Sequence, residues 1–492
     1  MHKTSFNINK KFSLVMMLLT AIVVFNSCDE FLDKDPYDRP ATEIALSDID
    51  GLNWAMNGTY DAMCAERYYG KLFVAISEYM GEDVKQKEDN GTYDTYGDVY
   101  RYTKNVEDNE TERLWEYCYD VMLRVNNVIE FLPYSIDGTD DEKNKLMGQA
   151  LFVRALTHFD LVRAYGQNFS YTADASHLGV PVVTWPLSVT EVLARETVKV
   201  VYDQIITDLK AAVDTFPEES FVAEDAKYGN KYAAIGLLSR VYMYMGDYVF
   251  DDSETGWTKC IEWSSRLLDD ESSPFSLIPE ESYVDSWATL TPSSESLFEL
   301  AFVTSSSFNI GSFFFPGSNV EYAEAVPSYD LLQLYQPGDV RIGMFHVLSS
   351  TGEVYSKKYP GSDGQVGLDN VKVLRLSEIY LNRAEAYAQM NQLSEATDDL
   401  NMIRNRAGLD DLSEDYTQED LLEEIYLERR RELAFEGHRI WDITRRHQDV
   451  VRTDLQESLS YAKITYPDPQ FVLPIPEDEI QANINMIQNE DY

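Results

Sequence analysis

Apolar residues at three-and-four spacing recur in nine segments, and this periodicity constrains the fold more than any other feature of the chain. The nine segments are residues 47–66, 110–132, 143–166, 196–214, 228–246, 257–270, 373–391, 393–407 and 418–436. Strand-like segments are few, and the better candidates are residues 180–185, 297–303 and 471–475. We therefore predict a mainly α fold.

Two of the predicted helix pairs carry an internal repeat of small and large side chains. The later pair carries it at Ala384, Tyr387, Ala396, Leu400 and Ile403. Residues 238–267 show the same alternation with a longer turn, and residues 155–159 show a weaker copy. A small residue lets two antiparallel helices approach, and larger residues fill the remaining space, as in tetratricopeptide repeats. The pattern predicts a tetratricopeptide-like helical-repeat scaffold.

The N-terminal residues are organised like a bacterial export signal. Three lysines precede an apolar stretch, residues 12–25, which is shorter than the roughly 20 residues of a membrane span. Ser27 and Cys28 follow, and this sequence resembles a lipobox, in which signal peptidase cuts before the cysteine and lipid is attached to it. We predict that residues 1–27 are a lipoprotein signal peptide and that lipidated Cys28 is the only membrane anchor. The alternative is an ordinary signal peptide with a chance cysteine.

The charge of the chain excludes one large class of partner. The sequence has 41 basic against 85 acidic residues, a formal net charge of −44. Such a surface repels phosphate backbones, so we expect no nucleic-acid binding. The cysteines beyond position 28, Cys64, Cys118 and Cys260, are widely spaced and follow no metal-binding pattern. We predict that they are buried free thiols.

A group of arginines near the C-terminus is conspicuous in so acidic a chain. The six arginines are Arg429, Arg430, Arg431, Arg439, Arg445 and Arg446. They could form an anion site, or they could pair with Glu428, Glu432, Glu436 and Asp442. Pairs three residues apart, such as Glu428–Arg431 and Arg429–Glu432, lie on one face of a helix. This spacing favours an ion-pair network.

Several blocks run in a fixed order along the chain. They are residues 124–130, 148–166, 179–183, 373–387, 428–445 and 473–476. In sequence and order these blocks resemble the SusD/RagB family of outer-membrane nutrient-binding lipoproteins. The resemblance covers nearly all of the chain that follows Cys28.

The resemblance implies a SusD-like fold, a tetratricopeptide-like scaffold with a loop-rich second half packed on it. It divides the mature chain into an N-terminal region, residues 28–230, and a C-terminal SusD/RagB region, residues 231–492. It also implies a lipid-anchored protein on the extracellular face of the outer membrane. Such a protein captures oligosaccharides or other glycans and delivers them to a SusC-like TonB-dependent transporter barrel. Two alternatives stay open: capture of oligopeptides by the same fold, and a tetratricopeptide-type adaptor with no small ligand.

Catalysis is not expected. The chain has only six histidines and contains no zinc-protease motif, nucleophile elbow or glycine-rich phosphate loop. Its many carboxylates guarantee chance acid pairs, so such pairs carry no information about glycoside hydrolysis. We expect a binding protein without a cofactor or a metal site.

Ligand contacts are expected outside the family blocks. Sugar rings offer apolar C–H faces and hydroxyl groups, so glycan sites combine exposed aromatic rings with polar side chains. Two segments outside the predicted helices combine these groups, and the second is rich in serine and glycine, so that no helix can bury its rings. The predicted contact residues are Tyr93, Tyr96, Tyr100, Trp287, Phe313, Phe315, Asn319 and Tyr322.

Overall fold

Helices dominate the structure. The computed structural model describes residues 42–87, 96–107, 109–188, 190–218, 220–251, 253–303, 309–316, 323–362, 365, 367–412 and 416–492. Its helices of seven or more residues are α1 (Ile49–Met63), α2 (Leu72–Met80), α3 (Asn109–Phe131), α4 (Asp140–Tyr165), α5 (Val198–Thr215), α6 (Lys231–Met245), α7 (Gly256–Leu268), α8 (Leu376–Gln389), α9 (Leu393–Arg406), α10 (Gln418–Leu433) and α11 (Arg439–Arg445). Shorter helices include Thr42–Ala45, Gly97–Arg101, Ile310–Phe314, Tyr329–Gln333 and Glu477–Ala482.

All nine predicted helices are present, with ends that differ by a few residues. Local capping explains several starts, because Thr197 and Thr417 each accept a hydrogen bond from a backbone N–H of the first turn. At α4 the cap is a complete capping box between Thr139 and Glu142. Helix α2 had no periodic signal, because every one of its residues is buried. The short helix α11 was also not predicted as a separate element.

The helices pack in sequence order as antiparallel neighbours. Contacts join α3 to α4, α4 to α5, α5 to α6, α6 to α7, α8 to α9, and α8 to α10, while α7 packs against α8. Ala384, Ala396, Leu400 and Ile403 are fully buried in one apolar cluster between α8, α9 and α10. The predicted tetratricopeptide-like scaffold is therefore confirmed.

Strands are short and pair only in twos within the described residues. The longer ones are β1 (Val84–Gln86), β2 (Ser296–Leu300), β3 (Ala325–Pro327), β4 (Phe345–Val347), β5 (Val354–Ser356) and β6 (Val371–Arg375). The antiparallel pairs are β1 with β3, β2 with β6, and β4 with β5. Two smaller pairs join Val249–Asp251 to Glu254–Thr255 and Val450–Val451 to Lys463–Ile464.

The strand predictions were right in one case of three. Residues 297–303 contribute β2, but residues 180–185 and 471–475 form no strand. Side chains satisfy the backbone of the first segment, because His158 accepts from the Val183 N–H and Asn126 donates to the Val183 carbonyl. These apolar residues are buried as irregular chain, a state that periodicity does not distinguish from a buried strand.

A buried ion-pair network surrounds these arginines in the C-terminal region, as their spacing indicated. Five of the six arginines pair with carboxylates: Arg429, Arg430, Arg431, Arg439 and Arg445. The predicted Glu428–Arg431 pair is present at 2.8 Å. The predicted Arg429–Glu432 pair is wrong, since Arg429 turns instead to Asp442 on α11. Arg446 makes no ion pair with any described residue.

Glu432 is the centre of this network. Its carboxylate contacts the guanidinium groups of Arg341, at 3.0 Å, of Arg406, at 2.5 Å, and of Arg375. These cations hold the pKa of Glu432 well below its usual range, against the effect of burial. We call these four residues the Glu432 cluster.

The described part of the chain contains neither a disulfide nor a membrane-spanning helix. Cys64, Cys118 and Cys260 are free, and Cys64 is only half-buried. Within the described part of the chain, none of the helices combines the length and the apolar character needed to cross a membrane. Cys28, the predicted lipidation site, lies outside the described residues.

Candidate functional site

The structure brings the two predicted aromatic segments together around Tyr79. The Phe313 ring lies 4.9 Å from the Tyr79 ring, and the Tyr100 ring lies 5.4 Å from it. Tyr96 contacts both Tyr79 and Phe313, at 6.3 and 5.9 Å. The ammonium group of Lys71 lies 5.2 Å from the Tyr96 ring centre.

These rings are not exposed, and that part of the prediction is wrong. Tyr96 and Tyr100 are 2% and 4% exposed, and Phe313 is completely buried. A serine- and glycine-rich segment can bury an aromatic ring against other elements even where it forms no long helix. The ring faces are packed against protein, so they do not offer stacking platforms to a ligand.

Trp287 lies in a different cluster and is also buried. It packs with Ile278, Tyr283 and Met344, and only 4% of it is exposed. The ammonium group of Lys358 lies 4.8 Å from its ring centre. The prediction of an exposed tryptophan is therefore wrong. Three buried cations of the ion-pair region also approach this ring.

Of the four remaining predicted contact residues, the structure describes one. Phe315 is half-buried, and its ring lies 5.6 Å from that of His346. Tyr93, Asn319 and Tyr322 lie outside the described residues. Their contact with a ligand stays a prediction.

An open cleft of about 790 Å³ lies beside the C-terminal half of α1. Residues of α1, of the turn before α6 and of the chain after β2 line it. Its lining includes Asn57, Tyr60, Asp61, Glu224, Lys227, Tyr228, Val303, Asn309 and Asn370. We call this space the α1 cleft.

Exposed aromatic rings and polar side chains meet at the α1 cleft. Tyr228 is 44% exposed, while Asn57 and Asp61 present polar groups one turn apart on α1. Trp54, 73% exposed, lies one turn before Asn57 on the same helix face. The lining thus combines an aromatic platform with hydrogen-bonding side chains, and a second ring extends the same face.

The floor of the cleft is held rigidly from below. The Tyr60 hydroxyl accepts a 2.8 Å hydrogen bond from the Gly229 N–H and donates to Gln149 at 3.1 Å. The Tyr60 ring also meets the Tyr228 ring edge-on at 5.6 Å. Tyr60 therefore fixes the backbone next to Tyr228.

Sequence reasoning missed Tyr228 because it assigned residues 228–246 to one helix. In the structure the side chain of Asn230 caps α6 by accepting from the Ala233 N–H. A helix that begins after Asn230 leaves Tyr228 on the preceding turn, where its ring is free to project. The Tyr-Gly-Asn sequence, with glycine before a preferred N-cap residue, was the available signal.

A buried carboxylate lies behind the cleft. Asp369 precedes the cleft residue Asn370, and its Oδ1 accepts from the Gly361 N–H at 2.7 Å, while its Oδ2 has no partner among the described residues. A Cβ at position 311 would lie 2.6 Å from Asp369 Oδ2, so any residue larger than glycine there would have to displace this carboxylate. Burial raises the pKa of Asp369 to about 7.

Asp369→Asn is expected to stabilise the protein at pH 8 by about 1–3 kcal/mol and to have little effect at pH 4. The raised pKa means that the fold prefers the protonated carboxyl, so the charged form costs stability as the pH rises from about 4 to 7 and costs most above 7. Chemical unfolding at both pH values measures this. Asp214→Asn, at an exposed position of α5, is the control. Equal effects of Asp369→Asn at both pH values would contradict the assignment.

The described residues do not group three or more His, Cys, Asp or Glu side chains in a way that could hold a metal ion. The chemistry on offer at the α1 cleft is stacking and hydrogen bonding.

Comparisons with known proteins agree with the fold. A family model described as the SusD family matches residues 345–492, and one described as starch-binding associating with outer membrane matches residues 30–243. SusD-like protein P2 of Formosa agariphila is 25% identical, over 97% of this chain and 98% of that protein.

Solved structures are similar as well. A SusD superfamily protein from Bacteroides thetaiotaomicron has a TM-score of 0.81 at 29% identity, covering 90% of this chain and 99% of the other. A putative sugar binding protein from Bacteroides vulgatus has a TM-score of 0.79 at 27% identity, with 91% and 99% covered. The two family models together match more than half of the chain, and the sequence blocks run in the family order. This chain belongs to the SusD/RagB family.

Proposed function

We propose that this protein captures oligosaccharides at the bacterial surface and delivers them to a SusC-like TonB-dependent transporter. The observation that carries the binding role is the α1 cleft, where the exposed Tyr228 ring lies among Asn57, Asp61 and Asn309. Its volume falls within the roughly 300–1,000 Å³ of small-ligand pockets. The family description, starch-binding associating with outer membrane, supports the same role.

The chemistry of the cleft suits a neutral glycan. A pyranose ring stacks its C–H face on an aromatic side chain and exchanges hydrogen bonds with amide and carboxylate groups. Asp61 and Glu224 are exposed at the cleft, and the only cation of its lining, Lys227, already pairs with Glu224 at 2.7 Å. An anionic ligand would meet the exposed Asp61 carboxylate there and no unpaired cation among the described lining residues.

The transporter and the anchor belong to the same proposal. Its support is the lipobox-like sequence that ends at Cys28, together with the outer-membrane association of the family. We place the protein on the extracellular face, with the lipid as its only membrane attachment. The proposed role is binding and handover, without a chemical step.

Two other roles remain testable with the same protein. Aromatic clefts also bind oligopeptides, so the cargo could be a peptide. A tetratricopeptide-type adaptor would bind the transporter and no small ligand. The exposed Tyr228 favours a small ligand over the pure adaptor, because its ring lies beside hydrogen-bonding side chains in a cleft of the size that small ligands occupy.

Tyr228→Ala is expected to weaken glycan binding about tenfold or more, because it removes the stacking platform of the cleft. Affinity electrophoresis through gels that carry a panel of polysaccharides measures this as loss of retardation. Tyr329→Ala is the matched control, since Tyr329 is 65% exposed but does not line the cleft.

The outcomes separate the alternatives. Retardation that is unchanged in Tyr228→Ala would place the ligand elsewhere on the protein. No retardation in any gel, with binding of peptide mixtures by calorimetry, would change the cargo to oligopeptides. Copurification with a large β-barrel and no ligand of either kind would favour the adaptor.

A further inference from the structure

A second cavity, of about 390 Å³, lies between the helical hairpins and shares no residue with the α1 cleft. The turn between α6 and α7 forms one wall, and α8, α10 and the end of α11 form the other. The lining residues that matter here are Tyr244, Asp247, Glu385, Tyr426, Arg446 and His447. We call this space the hairpin cavity.

Arg446 differs from its neighbour Arg445 in having no counter-ion. Arg445 donates to both oxygens of Glu385, at 2.5 and 2.7 Å, and pairs with Asp442. Arg446 donates only through Nε, to the Asp442 carbonyl at 2.8 Å, and its guanidinium lies 3.8 Å from the Tyr426 ring centre. Its terminal nitrogens bond no described residue. Burial, and then the charges of Arg439 and Arg445, lower the pKa of Arg446 to about 10.

Tyr244 supplies a second unsatisfied group in the same lining. Its side chain is 6% exposed, and its hydroxyl is buried without a hydrogen-bond partner in the described part of the chain. Burial of such a group without a partner costs about 1–3 kcal/mol, so it is uncommon in a native protein. That oxygen is closed to solvent, however, so a ligand in the cavity does not reach it in this structure.

The acidic groups of the cavity do not neutralise Arg446. Both oxygens of Glu385 are occupied by Arg445. Asp247 is exposed to solvent and accepts a 2.8 Å hydrogen bond from the Trp257 indole. His447 exchanges a hydrogen bond with Ser170, and burial lowers its pKa, so it adds no charge at neutral pH. Arg446 therefore faces this cavity without a direct ion pair among the described residues, while the charges of Asp442 and Glu385 act on it from nearby.

We propose that the hairpin cavity binds the carboxylate of a sugar acid, with Arg446 as the ion-pair partner. A guanidinium group binds a carboxylate through two parallel N–H···O bonds. The Tyr426 ring already holds the guanidinium plane in place. The cavity is large enough for one sugar unit, and only the choice of a sugar as the carrier rests on the proposed function.

Calorimetry with sodium galacturonate tests this on the purified protein, with galactose as the neutral comparison. Galacturonate is expected to bind saturably and galactose not to bind in this cavity. Arg446→Gln is expected to weaken galacturonate binding at least about tenfold. Arg124→Gln, at an exposed ion pair on α3, is the matched control. Rising salt is expected to weaken the binding, as for an ion pair.

The variants keep this site distinct from the α1 cleft. The Tyr228→Ala retardation reports on the proposed glycan capture and the Arg446→Gln calorimetry reports on this site, so failure of the one and failure of the other are separate results. Galacturonate affinity that is equal in Arg446→Gln and the parent protein would overturn the proposal, as would the absence of saturable heat. Binding of a short peptide through its terminal carboxylate, without galacturonate binding, would overturn the sugar acid as the ligand. Arg446→Lys, which keeps the charge but loses the two parallel N–H···O bonds, serves if Arg446→Gln fails to fold and is expected to weaken galacturonate binding as well.

Discussion

Glu432→Gln is expected to lower the free energy of unfolding by about 3–5 kcal/mol. The substitution keeps the size of the side chain but removes the only charge that Arg341, Arg375 and Arg406 share. Glu432 is completely buried, so water cannot replace the lost carboxylate. The three guanidinium groups would keep their other carboxylate partners but lose the one placed between them, so their mutual repulsion in a medium of low dielectric constant would no longer be balanced there.

Chemical unfolding between pH 5 and 8 measures this loss. Because the three cations hold the pKa of Glu432 far below this range, the carboxylate is charged throughout, and the loss is expected to be the same at each pH. Glu262→Gln is the control, since Glu262 pairs with Lys259 and Arg266 on the surface of α7 and such pairs contribute about 0–1 kcal/mol. A loss below 1 kcal/mol for Glu432→Gln would mean that the network does not hold the C-terminal region together.

The same network shows what helical spacing predicts and what it does not. Glu428 and Arg431 are three residues apart, and they pair as that spacing indicates. Arg429 and Glu432 have the same spacing, yet each finds its partner on another element. Arg429 meets Asp442 on α11, and Glu432 meets arginines that precede it by 26 to 91 residues. The rule that residues three apart pair holds for an isolated helix. On a buried helix face, a charged residue can also pair with residues of the elements that pack against it.

The fold was predictable where a helix buries one apolar face, as α1, α5 and α7 do, whereas α4 and α6 are buried on all sides over most of their length. Helix α2 has no polar face, so it carried no period, and residues 180–185 look like a strand because they are apolar and short. The motif blocks added the family, which periodicity alone could not supply.

The candidate site was harder to predict, because exposure is a property of the packed protein. Tyr96 and Phe313 belong to segments far apart in sequence, and only the fold shows that they bury each other. Tyr228 was hidden inside a predicted helix whose true start is set by the Asn230 cap. Aromatic content marks the segments that carry rings, but the tertiary structure decides which rings remain free.

Phe298 connects the core of the protein to the α1 cleft. It lies on β2, is completely buried, and its ring lies 5.0 Å from that of Phe152 and 6.4 Å from that of Tyr60. Tyr60 in turn holds the Gly229 N–H next to Tyr228. The position of the exposed ring thus depends on a side chain that no ligand touches.

Phe298→Ala is therefore expected to have two effects. It should lower the free energy of unfolding by about 3–5 kcal/mol, because it leaves a cavity that the packed core cannot close. It should also weaken glycan binding, since Tyr60 loses its support and no longer fixes the backbone beside Tyr228. Chemical unfolding and affinity electrophoresis measure the two effects on the same preparation.

The control lies on the same stretch of chain. Val303 follows β2, lines the cleft and is 89% exposed, so Val303→Ala is expected to change stability by less than about 0.5 kcal/mol. If Phe298→Ala lowers stability while glycan retardation is unchanged, Tyr60 does not position the binding surface. If stability and glycan retardation both fall, the buried contact between β2 and α1 supports the glycan site. The packing of the core then fixes the position of the surface that the ligand contacts.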